Sequence, residues 1–154
     1  MGHSLLVILA FMLIFINSES SCIKEDDKMN SENNTPMANG KIKIKVNSQT
    51  FTATLLDNNS AKAFREMLPL TINMIELNGN EKYYDLPNAL PTNSSKPATI
   101  KNGDLMLYGL KTLVLFYKTF SSSYSYTKLG SVDDVTGLES ALGSGNVTVT
   151  FELE

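Results

Sequence analysis

Six consecutive residues, Lys41-Ile-Lys-Ile-Lys-Val46, alternate cation and apolar side chain without a break. Successive side chains of an extended strand point to opposite faces, so Ile42, Ile44 and Val46 form a buried face and the lysines stand in water. Asn47-Ser48 supplies a turn, and Phe51, Ala53 and Leu55 continue a second inward face with threonines outside. The same period returns at the end of the chain, where Val147, Val149, Phe151 and Leu153 alternate. A chain that opens and closes on half-buried strands must pair them, and antiparallel strands in number close into a barrel or sandwich because closure removes exposed edges.

Between these strands the punctuation is legible. Asp57-Asn-Asn-Ser60 is rich in helix N-cap residues, Ala61, Phe64 and Leu68 recur at helical spacing, and Pro69 stops the helix. Asn78-Gly79 favours the positive φ of a tight hairpin between two further strands. A proline-marked loop runs from Pro87 to Pro97, and strands follow at Gly103–Tyr108 and Thr112–Phe120. Thr136-Gly-Leu-Glu139 has capping-box spacing and opens a short helix that Gly143 closes. The expected inventory is about seven strands and two short helices in one domain over residues 41–154.

The residues ahead of that domain read differently. Leu5 to Ile16 is an unbroken apolar run, too short for a membrane-spanning helix, which needs about 20 residues, and suited to the core of a signal peptide over residues 1–21. Ser20 and Ser21 precede the single cysteine, Cys22. A small residue directly before a cysteine after such a run resembles the lipobox of bacterial lipoproteins, which implies a lipidated Cys22, export, and a place in the cell envelope on a lipid anchor. Residues 22–40 carry acids, lysine, asparagine and serine with little to bury, the composition of a flexible tether.

Three stretches of the domain carry a family resemblance. They are Leu77-Asn-Gly-Asn-Glu-Lys-Tyr-Tyr84, Gly103-Asp-Leu-Met-Leu-Tyr-Gly109 and Ser123-Tyr-Ser-Tyr-Thr127. With the Leu113–Thr119 strand and the Leu129-Gly-Ser-Val segment, they resemble the small bacterial proteins called cyclophilin-like, over nearly all of Lys41 to Glu154. The resemblance implies a mainly β fold: a closed eight-stranded antiparallel barrel with a short helix at each end.

Several chemistries are excluded by composition. His3, the sole histidine, lies in the signal segment, and Cys22 heads the tether, so the domain holds neither a Ser-His-Asp or Cys-His arrangement nor a zinc site built from His and Cys. No phosphate-cradling glycine loop joins a strand to a helix. A net charge of -3 supplies no basic field for nucleic acid. No cofactor is expected. Asp133-Asp134 reads as turn and helix-dipole chemistry, and Glu81 and Asp85 flank Tyr83-Tyr84 without an evident partner.

True cyclophilins act on proline with an arginine and an apolar pocket. By the resemblance, Phe116 matches a pocket phenylalanine and Tyr126 a pocket histidine. The arginine's strand reads Lys82-Tyr-Tyr-Asp85, and the only arginine, Arg65, lies in the first helix. Lys118 is the stand-in cation, lacking the planar fork of guanidinium. Alternation places Phe116, Lys118 and Phe120 together on one face of their strand. The expected ligand face is Tyr84, Phe116, Lys118, Phe120, Tyr124 and Tyr126, since tyrosine offers apolar area with a polar tip. The expectation is a binding module for a peptide or small ligand. A weak prolyl isomerase, and a structural subunit that docks another protein, are the alternatives.

Overall fold

A computed structural model describes residues 34–154. The expected signal peptide, Cys22 and the first part of the expected tether lie outside the described residues. The elements in chain order are β1 (Pro36–Val46), β2 (Gln49–Leu56), α1 (Asn59–Glu66), β3 (Leu70–Leu77), β4 (Glu81–Asp85), β5 (Thr99–Ile100), β6 (Asp104–Tyr108), β7 (Thr112–Phe116), β8 (Phe120–Ser121), β9 (Thr127–Val132), α2 (Leu138–Leu142) and β10 (Val147–Leu153). Eight strands close into an antiparallel barrel in the order β1-β10-β3-β4-β7-β6-β9-β2, while β5 and β8 pair as a separate two-stranded ribbon. The fold is mainly β with two helices, as periodicity and resemblance both implied.

The alternating strands bury the faces expected of them. Ile42, Ile44, Val46, Ala53, Leu55, Val149 and Phe151 all lie in the main core, whereas Leu153, at the end of β10, is exposed. Asn58 accepts a hydrogen bond from the Ala61 amide (2.8 Å) and caps α1. That helix buries Phe64 edge-to-face on Phe151, ring centroids 5.5 Å apart. Asn78 and Gly79 hold φ of 56° and 69°, the left-handed geometry of the hairpin between β3 and β4.

Three features differ from the sequence reading. Strand β1 begins at Pro36 rather than Lys41: Pro36 pairs with Leu56, the Asp57 amide donates to the Thr35 carbonyl, and Met37 packs on the core. Composition places residues 36–40 in a tether because those contacts are mostly made by backbone. The register slips between Pro36 and Lys41, where a Cβ on Gly40 would stand 2.8 Å from the Met37 side chain and 2.9 Å from the Leu55 carbonyl. Strand β7 stops at Phe116 instead of running on to Phe120, so Lys118 falls outside any strand. The capping box before α2 does not form. Gly137, at φ 81°, is the N-cap with no side-chain bond, and the Thr136 amide donates to Asp134 instead.

A charged group lies inside the barrel. Lys82 is fully buried, and its ammonium donates to the Glu76 carboxylate (2.5 Å) and to the carbonyls of Gly143 (2.9 Å) and Gly145 (2.6 Å). The Tyr117 hydroxyl donates to the other Glu76 oxygen at 2.6 Å, and the Tyr117 ring lies 5.3 Å from the ammonium. All three donor positions of the ammonium are used, the condition under which a buried charge is tolerated. Glu76 is further fastened by the Gly79 amide at 2.9 Å.

Candidate functional site

The barrel wall formed by β4, β7 and β6 has two faces, and pairing register decides which residue goes to each. Leu105, Leu107, Leu113 and Leu115 face the main core, and Lys82, opposite Leu115, is inside with them. Their alternates face out. Met106, Val114 and Phe116 build a second, smaller core on the outer wall with Ile100 and Tyr126, joined by Tyr83 and Phe120. The β5–β8 ribbon supplies Ile100 and Phe120 to it. Without that cover, Val114 and Phe116 would be apolar side chains on a wet barrel surface.

Beside this outer core lies a cleft of about 540 Å³. Its wall combines Glu81, Tyr83 and Asp85 of β4, Tyr108 at the end of β6, and Phe120, Tyr124 and Tyr126 from the segment after β7. The rings are in series. Centroids are 6.2 Å apart for Tyr124–Tyr108, 5.7 Å for Tyr108–Tyr126, 5.5 Å for Tyr126–Phe116 and 5.7 Å for Phe116–Phe120. Successive planes meet at 53° to 88°, so the rings form a folded wall and not a flat stack. Tyr108 and Tyr124 are 48% and 62% exposed, large aromatic surfaces left open to water.

The electrostatics of the cleft are one-sided. Among the described residues lining it, Glu81 and Asp85 carry charge and there is no Lys or Arg. Asp85 accepts a hydrogen bond from the Thr112 hydroxyl at 2.6 Å. Glu81 is half-buried, and no side chain among the described residues bonds its carboxylate. Burial first, and then the charge of Glu76, raise its pKa above the ordinary Glu value. Burial and the charge of Glu81 likewise raise the pKa of Tyr126, with hydrogen bonding to Ser122 opposing.

The six residues expected to form the ligand face separate into three groups. Phe120, Tyr124 and Tyr126 line the cleft. Phe116 is fully buried and supports it from beneath, touching Tyr126 and Phe120. Tyr84 and Lys118 are elsewhere. Tyr84 pairs with the inward Leu113 and packs on the main core, one residue out of phase with the outer wall. Lys118 does not share a face with Phe116 and Phe120, because the strand has already ended; it meets Glu139 at 3.3 Å beside α2. Tyr83, Tyr108 and Glu81 line the cleft without having been placed there from the sequence. The period of two carried the signal: Tyr83 lies between Lys82 and Tyr84, and Tyr108 is two residues from Met106.

A second cavity of about 570 Å³ shares Tyr126 but is bordered by Asp104, Lys101 and Lys128. Its buried carboxylate is already satisfied: Asp104 accepts from the Lys101 amide (2.8 Å) and faces the Lys128 ammonium (3.3 Å). The aromatic cleft, with its unpartnered acid, is the stronger candidate.

These features define an antiparallel closed-barrel protein with an aromatic cleft on its outer wall. The chain belongs to the Cyclophilin-like family, whose sequence profile matches residues 44–152. The barrel is similar to the solution structure of the hypothetical protein AF2241 from Archaeoglobus fulgidus. That match has 15% identity and a TM-score of 0.53, and covers 80% of this chain and 99% of that one. At that identity the likeness speaks of fold alone. No curated protein matches the chain.

Proposed function

We propose that this chain is an exported, lipid-anchored binding module that takes a peptide or small ligand into the aromatic cleft without catalysing a reaction on it. The observation that carries the reading is the set of five rings, Tyr83, Tyr108, Phe120, Tyr124 and Tyr126, around one cavity of about 540 Å³. Ligand sites are concave, largely apolar and furnished with a few polar groups, and this cleft has that make-up. Export and anchoring rest on the Leu5–Ile16 run and Ser21-Cys22.

Proline isomerisation has a barrier near 20 kcal/mol. Lowering it needs a donor aimed at the twisting amide. The cleft lining offers acids and rings rather than a cation, and Lys118 is engaged with Glu139. Chemical-shift mapping with a panel of short peptides and fragments tests the reading. Perturbations should centre on Tyr83, Phe120, Tyr124 and Tyr126, with no acceleration of cis–trans exchange in an X-Pro peptide. Turnover of the X-Pro bond, or shifts confined to other surfaces, would overturn it.

A further inference from the structure

We propose that the aromatic cleft selects an organic ammonium group, carried on a lysine side chain of a peptide or on a free alkylamine. The inference rests on the reading of the cleft as a binding site and adds the charge and chemical class of the occupant.

Three observations converge. The first is the wall, five aromatic rings whose faces carry the negative part of the ring quadrupole and attract cations. The second is the charge balance: the charged groups among the described lining residues are both acids. The third is the Glu81 carboxylate, half-buried without a bonded partner, where Asp85, Glu76 and Asp104 each have one. Asn80, also in the lining, adds a buried Oδ1 that receives no hydrogen bond from the described residues. The wall thus presents an unpartnered carboxylate and offers no cationic donor of its own.

Each alternative occupant meets a physical objection. An anion would enter a negative cleft with no cation to receive it. A neutral apolar ligand would cover Glu81 and strip its remaining water without supplying a partner, and an uncompensated carboxylate is costly to bury. A bare metal ion needs several converging oxygen or nitrogen ligands. Among the described residues, no three His, Cys, Asp or Glu side chains come together in such a group. An alkylammonium answers all three objections. Its methylenes cover ring surface, its charge sits against the ring faces, and its N–H groups donate to Glu81.

The test is a matched titration of the full chain, read from tyrosine side-chain resonances. The probes are N-acetyl-lysine methylamide, its uncharged norleucine counterpart, and butylammonium. The lysine derivative should shift Tyr83, Tyr108, Tyr124 and Tyr126 and bind at least about ten-fold more tightly than the norleucine one, as expected for a cation on rings beside a carboxylate. Glu81→Gln should shrink that preference from both sides, weakening the lysine derivative and lifting the cost that the norleucine one meets. Butylammonium matching the lysine derivative points to a free amine; a clear advantage for the lysine derivative points to a peptide. Equal binding of lysine and norleucine derivatives at these tyrosines would overturn the ammonium inference and leave the binding module standing. No shift at these tyrosines with any of the three probes, alongside an unresponsive peptide panel, would overturn both.

Discussion

Glu81 and Glu76 are five residues apart and have opposite effects on stability. The Glu81 pKa is raised by burial and by Glu76. Between the ordinary Glu value and the raised one, the folded chain therefore holds more proton than the unfolded chain. Stability falls as pH rises through that window and stays lower above it. Glu81→Gln should accordingly raise the thermal midpoint at neutral pH and flatten its pH dependence there, which calorimetry across mildly acidic to neutral pH will read. An unchanged midpoint would mean that Glu81 is fully solvated in the native state. Glu76 is the reverse case. Burial acts on it most strongly, to raise its pKa, but hydrogen bonds from Lys82 and Tyr117, the Lys82 charge and the Gly79 amide together outweigh this and lower it. The stability it contributes is present above the ordinary Glu value and is lost as pH falls through the lowered one. The rings divide in the same manner. Phe116→Ala should cost about 3–5 kcal/mol as a buried aromatic. Tyr124→Ala, at an exposed site, should change stability by within about 0.5 kcal/mol and act on ligand affinity instead. Denaturant titrations of the two variants separate a supporting ring from a contacting one.

At the scale of elements, strands with one wet face were legible and the residues that break phase were not. Lys41–Val46 and Val147–Leu153 announce themselves because each repeats a polar–apolar period for several residues. Strand β4 reads Glu-Lys-Tyr-Tyr-Asp, with polar and aromatic groups on both faces, so its inward side is not evident from pattern. The inward residue is a lysine, tolerated because Glu76 and two glycine carbonyls from the segment after α2 reach it. Those partners are remote in sequence, and with the phase of β4 hidden, pattern alone does not say which of Tyr83 and Tyr84 faces outward. Lys118 departs from the expected face for a related reason: alternation extrapolates through a strand end that only three-dimensional pairing reveals. Lys82→Met tests the interior device. Removing the cation strands the Glu76 carboxylate and two carbonyls, so unfolding free energy should fall by about 3–5 kcal/mol. The start of β1 is testable as well. A chain beginning at residue 39 loses the Pro36–Leu56 pairing and the Met37 contact, and should melt below one beginning at residue 34. Equal melting would return residues 34–38 to the tether.

For the molecule as a whole, the proposed anchor and the cleft are separate parts of the reading, and one substitution tells them apart. Cys22→Ser should move the chain from the membrane fraction to the soluble fraction while the cleft keeps its affinity. A wild-type chain found soluble with a free thiol would remove the anchor from the reading and leave the cleft untouched. The closed ring also carries a temporal consequence. Strand β1 is flanked by β2 on one side and by β10 on the other, so Ile42 meets Leu153 across the seam. The barrel cannot shut until β10 is in place, and without that strand it is an open sheet with two unsatisfied margins. Contacts this distant along the chain slow folding, because a long loop must be closed before they reward it. The topology itself thus postpones full compaction until the seam strand arrives, a delay that would suit the export proposed above.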